Sequence, residues 1–448
     1  MAARSAFAAK ILPIRIATRH HRPLQSRPIG RSAAGVSFGA QDGSSRGQRG
    51  LGWPARFLAP HPMNGVTETL EPALARHLLR ELGEEARGYR FEVAPNPCVG
   101  AAVLAGSQVV ARGFHRVWGG PHAEVEALRL AAESPVPAAD WDTMLVTLEP
   151  CSSTGKTPPC VEAIKAAGIR RVIVAAQDPD PRHRGAGLEA LREAGIEVLI
   201  DPVAAPLEVV SPHFLAWNDF ERRRRPRPWT IAKWAQTLSG HLSPPESVGD
   251  GRWISGSASL HEVHALRSRV DAIVTGVGTV LHDDPRLTVR LRTEAAGATI
   301  SGPDRVVLDS WLRTPPEARL FEEPGEGEFG GQVHVMAHPG PDPIRRRALE
   351  DAGARVHGGR GMDRHTLDLR DLWTWLDDQG FTRVMLEAGP TLLRNALEKG
   401  FVDQLRVYTG NVRGGEGESL ASWLAAADLT ERLHREAGAD GVLEAFLG

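Results

Sequence analysis

The strongest constraint on the fold is an alternation of strand-length apolar runs with helical stretches, repeated in two blocks on either side of a proline-bounded arginine run. In the first block the runs Val99–Leu104, Val109–Phe114, Met144–Leu148, Val172–Ala175 and Val198–Ile200 alternate with Ala123–Ala132, Val161–Ala167 and Leu188–Ala194, whose apolar residues recur at helical spacing. Strands and helices that must each bury one face stack in layers, so this block reads as a three-layer α/β domain. The second block repeats the pattern, with strands near Ile231–Ala235, Ala272–Gly276, Val306–Leu308, Val333–Met336, Val384–Leu386 and Leu405–Tyr408. Its helices are expected near Leu260–Arg269, Arg345–Ala352, Leu369–Leu376 and Leu392–Leu397, and Glu322–Gly331 reads as a loop. Between the blocks, Arg222, Arg223, Arg224 and Arg225 run into Pro226 and Pro228, which cannot extend a helix. The expected organisation is a domain over 63–205, a linker over 206–228 and a domain over 229–448, each with elements enough for its own core.

Residues 1–62 are set aside as a disordered extension. They are rich in Arg, Ala, Ser, Pro and Gly, and Asp42 is the only acid before Glu68. That text suits an organelle transit segment, and equally suits translated sequence upstream of a start at Met63. A net charge of −2 supplies no basic excess for nucleic-acid backbones, and no run approaches the ~18 apolar residues of a membrane span. Three cysteines among 448 residues are too few for a disulfide scaffold and fit a reducing, cytoplasmic setting, or a plastid if the extension is a transit segment. Oligomeric state is not legible, and a homo-oligomer is compatible with everything above.

Those thiols raise the question of metal. His122-Ala123-Glu124 is followed by Pro150-Cys151 and Pro159-Cys160, one imidazole and two thiols that can bind zinc and leave a fourth position for water. Glu124 sits two residues from His122 at a helix start, placed to exchange protons with that water without being a ligand. Cys160 opens a helix, where the N-terminus favours thiolate. The ordinary alternative is a helix-capping histidine and two core cysteines. Cys98, after Pro97, reads as a packed residue rather than a ligand. Zinc nucleobase deaminases carry His-x-Glu with Pro-Cys-x-x-Cys, whereas the spacer here is eight residues.

Five ordered motifs carry a more specific resemblance: Pro95-Asn96-Pro97-Cys98-Val99-Gly100, Gly120-Pro121-His122-Ala123-Glu124, Thr147-Leu148-Glu149-Pro150-Cys151, Gly155-Lys156-Thr157-Pro158-Pro159-Cys160, and Asp178-Pro179-Asp180-Pro181 with Gly185-Ala186-Gly187. Together they resemble the bifunctional deaminase/reductase family of riboflavin biosynthesis, including its eight-residue spacer. The resemblance implies a cytidine-deaminase-like first domain in which His122, Cys151 and Cys160 hold zinc, Glu124 shuttles a proton and Asn96 lies in the pyrimidine pocket. Two residues depart from the family pattern, Ser153 in place of His and Lys156 in place of Arg. Lys156 keeps a cation for a substrate phosphate without the bidentate fork.

The second block is less explicit by itself. Gly276-Val277-Gly278 lacks the third glycine of a dinucleotide fingerprint. Leu386-Glu387-Ala388-Gly389-Pro390-Thr391 runs a strand into a helix and could present backbone N–H groups to a diphosphate, or be an ordinary capped turn. Here the same family resemblance extends through Lys233-Trp234-Ala235, Trp253-Ile254-Ser255, Leu266-Arg267, Asp271-Ala272-Ile273, Gly276–Val280, Asp283–Arg290 and Val307-Leu308-Asp309-Ser310. It implies a dihydrofolate-reductase-like α/β domain using NADPH through Ala235, Trp253, Thr279, Asp283 and Gly389. By the same resemblance Arg267, Leu287, Arg290 and Glu387 contact the phosphorylated sugar substrate. Thr237-Leu238-Ser239-Gly240 has Ser239 where the family has Asp, and Gly251 replaces a serine.

The implied activity is zinc-dependent deamination of a phosphorylated diaminopyrimidine followed by NADPH-dependent reduction of its ribosyl chain, with a small molecule as the partner. A deaminase whose second domain has lost turnover is the nearest competitor. An RNA-editing deaminase and a non-catalytic zinc module are the others.

Overall fold

The computed structural model describes residues 70–153, 158–219, 227–246, 254–291, 302–358 and 368–448. Residues 1–62, the Arg222–Arg225 run with Pro226, Lys156, Gly251 and Trp253 lie outside the described residues.

In the first half, helices α1 (Pro72–Arg87) and α2 (Arg90–Val93) precede a five-stranded sheet. Its strands are β1 (Gly100–Ala105), β2 (Gln108–Phe114), β3 (Thr143–Val146), β4 (Arg171–Val174) and β5 (Glu197–Ile200), in the order β2-β1-β3-β4-β5. β1 runs antiparallel to β2 and β3, while β3, β4 and β5 are parallel. Period-two alternation separates the faces. Ala101, Val103, Met144, Val146, Val172 and Val174 point to one core, and Ala102, Leu104, Leu145 and Ile173 to the other. Helices α3 (Ala123–Ala132), α4 (Cys160–Ala166) and α5 (Ala186–Glu193) cover the first face through Ala127, Leu128, Ile164 and Leu191. α1 covers the second with Leu78, Leu79 and Leu82, joined by Val210 of α6 (Leu207–Val210). This is the three-layer arrangement read from the sequence.

The structure differs over the expected linker. α6 and α7 (Pro212–Asn218) fill much of 206–219, and Leu207 and Val210 are buried because their apolar spacing closes the first half's two cores.

The second half begins with β6 (Trp229–Gln236), β7 (His241–Ser243), α8 (Ser257–Arg267), β8 (Ala272–Gly276), α9 (Val277–Asp283) and β9 (Val289–Arg290). It continues through β10 (Asp304–Leu308), β11 (Glu328–Phe329), β12 (Val333–Ala337), α10 (Pro343–Asp351), β13 (Ala354–Gly358), α11 (Leu369–Asp378), β14 (Arg383–Leu386) and α12 (Pro390–Glu398). It ends with β15 (Gln404–Thr409), β16 (Glu416–Ser419), α13 (Ala421–Ala426), β17 (Leu429–Ala437) and β18 (Asp440–Leu447). Nine strands form one sheet in the order β13-β12-β10-β8-β14-β6-β15-β18-β17. It is parallel from β13 to β15 and closed by an antiparallel hairpin. α11 and α12 bury Leu372, Trp373, Leu376 and Leu393 on one face, and α8, α9 and α10 bury Val263, Val280 and Leu349 on the other. The sheet is thus doubly wound. One cluster belongs to both halves: Phe91 and Ala94 pack with Trp229, Ile231, Val263 and Phe446.

A zinc-type pocket and an anion cradle

Three local features converge in the first half. His122 precedes α3 in extended conformation, Cys151 follows the Pro150 turn after β3, and Cys160 is the first residue of α4. His122 Nδ1 lies 3.2 Å from Cys160 Sγ and 3.6 Å from Cys151 Sγ, and all three ligand atoms fall within 4.8 Å of one another. Zn–S and Zn–N bonds of ~2.0–2.3 Å at tetrahedral angles put ligand atoms ~3.5 Å apart, so this donor set fits zinc. A hydrogen bond from the Cys160 thiol, then His122 and the Cys160 backbone N–H, lower the Cys151 thiol below its usual range, which favours a thiolate ligand. Cys98 is fully buried away from the cluster, its amide bonded to Ser211 Oγ at 2.7 Å and its thiol pushed up to about 12 by burial.

Glu124 lies in the first turn of α3 with 3% of its surface exposed, and burial raises its carboxyl above the usual range. It lines a cavity of about 350 Å3 shared with His122, Cys151, Asn96 and His115. Burial holds His115 neutral, near 4. Its Nδ1–H donates to the Pro121 carbonyl at 2.9 Å, leaving Nε2 to accept from Asn96 Nδ2 at 3.2 Å. That bond orients the Asn96 amide at the wall of the cavity.

Sequence reasoning missed His115, which no motif announced, and gave no role to Glu149, Asp178 and His183, which also line the cavity. The signal for Glu149 was present in its position before Pro150-Cys151. Its carboxylate accepts the backbone N–H groups of Asp178, Gly185 and Gly187, tying the ligand turn to the loop opposite. Ser153 lines the same cavity.

In the second half, the carboxyl ends of the neighbouring strands β8, β14 and β6 come together. α9 starts after Gly276 and α12 after Gly389, and the Gly389 N–H donates to Thr279 Oγ1 at 3.1 Å. A Cβ on Gly278 would meet nothing within 4 Å, so the turn is open to a ligand's close approach. Helix starts at the carboxyl ends of parallel strands suit a diphosphate, and this cradle fits NADPH. Ala235 lies near the end of β6, while Asp283 is exposed at the end of α9, 2.8 Å from His282.

The residues expected at the sugar are partly engaged with one another. Arg267 Nε and Nη2 donate to Glu387 at 2.6 and 3.1 Å, and Lys233 Nζ donates to it at 3.3 Å. Despite burial, Arg267 and Lys233 hold the Glu387 carboxyl down at about 2. Arg267 therefore spends its fork on Glu387, leaving Arg290 the exposed guanidinium of the two. Leu287 has a left-handed backbone at φ 53°, and its side chain is buried in the cluster with Phe91 and Met385. Ser239 Oγ accepts from the Gly414 N–H at 3.1 Å, a turn contact.

Hydrolytic removal of an amine needs a polarised water and a buried carboxyl to carry its proton, and the first pocket has groups for both. With a nucleotide cradle in the second half, the class is a two-domain, metal-dependent deaminase joined to a nucleotide-dependent reductase. Residues 75–176 match the cytidine and deoxycytidylate deaminase zinc-binding region, and residues 228–424 match the RibD C-terminal domain. Riboflavin biosynthesis protein RibD of Escherichia coli (strain K12) is 36% identical over 339 residues, 74% of this chain and 86% of that protein. The structure of Acinetobacter baumannii RibD aligns with a TM-score of 0.58 at 29% identity, covering 84% of this chain and 100% of that one. A Thermotoga maritima diaminohydroxyphosphoribosylaminopyrimidine deaminase/5-amino-6-(5-phosphoribosylamino)uracil reductase aligns at 0.56 and 26% identity, covering 84% and 99%.

The chain belongs to the RibD family. It is a bifunctional enzyme of riboflavin biosynthesis, a zinc hydrolase that deaminates and a reductase that uses NADPH. Among the described residues no helix is long and apolar enough to cross a membrane.

Proposed function

We propose that the first half, within 63–205 and extended by α6 and α7, deaminates 2,5-diamino-6-ribosylamino-4(3H)-pyrimidinone 5′-phosphate. The second half, over 229–448, then reduces the ribosyl chain to give 5-amino-6-(5-phosphoribitylamino)uracil. The convergence of His122, Cys151 and Cys160 on one point, with buried Glu124 and an oriented Asn96 in the adjoining cavity, carries this reading.

His122, Cys151 and Cys160 would hold the zinc. When bound, zinc is a Lewis acid that brings the pKa of a water to ~7. Glu124 takes a proton from the attacking water and delivers it to the departing amine, so that the water oxygen becomes the ring carbonyl, its second proton passes to the neighbouring ring nitrogen and the amino group leaves as ammonia. Its burial raises its carboxyl above the usual range, which favours taking up the proton it must carry. Asn96, fixed by His115, grips the pyrimidine edge.

In the second half Ala235, Trp253, Thr279, Asp283 and Gly389 would hold NADPH, which supplies the hydride when bound. Glu387, kept ionised by Arg267 and Lys233, accepts hydrogen bonds from the sugar hydroxyls. Arg290 and the main chain at Leu287 meet the phosphate end. Three free cysteines, two of them assigned as zinc thiolates, support a cytoplasmic setting.

Mixing the purified chain with the diaminopyrimidine, with and without NADPH, tests both steps. Ammonia release without NADPH and the ribityl product only with it is the expected outcome. Deamination without any reduction would select the competing reading in which the second half is inactive.

A further inference from the structure

We propose that the reductase sheet is a working part of the deaminase pocket, and that Arg383, at the start of β14, is a positioning residue for Asn96 and Trp118. The inference rests on the placement of Asn96 in the pyrimidine pocket. Arg383 is fully buried and its guanidinium reaches out of its own half. Nη2 donates to the Phe91 carbonyl at 3.3 Å and Nη1 to the Glu92 carbonyl at 3.2 Å. Gln404, at the start of β15, donates to the same Phe91 carbonyl at 3.1 Å. The Glu92 carboxylate returns the contact, accepting from Arg406 at 2.6 Å and Arg269 at 2.8 Å. Four side chains of the second half therefore clamp the short helix α2.

The pocket hangs from that helix. The Asn96 N–H donates to the Val93 carbonyl at 3.0 Å, and the Trp118 N–H donates to the Glu92 carbonyl at 2.9 Å. The Arg383 guanidinium also stands 5.7 Å from the centre of the Trp118 ring. A second strut holds Asn96 from behind. His213 Nε2 donates to the Asn96 carbonyl at 2.9 Å while its ring stacks on Phe446 of β18 at 4.9 Å. Asn96 and Trp118 line a cleft of about 470 Å3 with His122 and Cys151, and Phe381 and Thr382 of the second half form part of the same wall.

These contacts lie at the amino ends of β14 and β15, whereas the NADPH cradle lies at the carboxyl ends of β8 and β14. A disturbance at Arg383 should thus reach deamination before reduction. Lysine keeps the charge but has no planar fork to hold two successive carbonyls. A displacement of ~1 Å at a substrate-orienting group costs up to ~10²-fold in rate.

The test uses the full chain with Arg383→Lys, and Glu92→Gln as a milder variant should the first not fold. Deaminase kcat/KM is expected to fall ~10- to 100-fold, chiefly through kcat, with zinc at one per chain and reductase kcat/KM within about twofold of wild type. Hydrogen exchange at the Asn96 and Trp118 amides should quicken in parallel. Unchanged exchange at those amides overturns the proposal, as does a parallel fall of both activities and of zinc content. Wild-type turnover of the diaminopyrimidine tests the substrate reading separately, because the exchange measurement requires no substrate.

Discussion

Replacing Glu149 by Gln should cost ~2–4 kcal/mol and disable deamination, although Glu149 is neither ligand nor acid. Its Oε2 accepts the N–H groups of Asp178 and Gly185 at 3.2 and 3.0 Å, and Oε1 accepts that of Gly187 at 3.0 Å. Glutamine can keep an oxygen toward the first pair only by turning its NH2 toward Gly187, donor against donor. Losing that charged hydrogen bond leaves the Gly187 N–H buried and unpaired at ~1–3 kcal/mol, and the surviving pair drops to neutral strength for ~1 kcal/mol more. The loop has no room to relax inward, since a Cβ on Gly187 would stand 1.9 Å from the Pro150 carbonyl oxygen. Because Pro150 precedes Cys151, the strain passes into the metal site. Urea unfolding of the zinc-loaded chain, zinc retention after dialysis and ammonia release measure the effect. A loss below ~1 kcal/mol with unchanged ammonia release would refute the reasoning.

Glu124→Gln should lower deamination by ~10²–10⁴-fold with zinc content and NADPH binding intact, and near-normal ammonia release would assign the proton transfer elsewhere. Cys151→Ser should lose zinc while Cys98→Ser retains it, since only the former reaches His122; metal analysis separates the two. Stability should also fall with acid below neutrality. Burial holds His213 near 4, and its Nδ1 has no partner among the described residues, so a proton there would be an unpaired buried donor. The folded pKa lies below the unfolded ~6.5, so the unfolded state binds more protons between them. Stability is then full above ~6.5 and lost on acidification toward 4, by up to ~3 kcal/mol from this residue. Thermal melts from pH 7 to 4 should show this slope, flattened in His213→Gln; an equal slope in both would remove His213 from the account.

Local chemistry made much of the molecule legible. Apolar runs of strand length marked β1, β3 and β4, and helix starts at His122 and Cys160 brought ligand types to positions that the fold joins. Such features depend on neighbours a few residues apart. The hairpin β17–β18 escaped notice because β17 carries Glu431, Arg432, Arg435 and Glu436 among few apolar residues, so its pattern lacks a strand's usual apolar signal.

The sequence by itself determined the layered halves, the His–Cys–Cys donors and their carboxyl partner, because each follows from periodicity or from residue chemistry at a chain turn. Only the tertiary structure decided that Arg267 is spent on Glu387, that Glu149 braces the metal turn, and that Arg383 and Phe446 support Asn96 from the other half. Those contacts join residues more than 100 positions apart, or loops whose approach depends on how the sheets pack. No local pattern encodes that approach, since the free energy selecting it arises only when the buried surfaces meet.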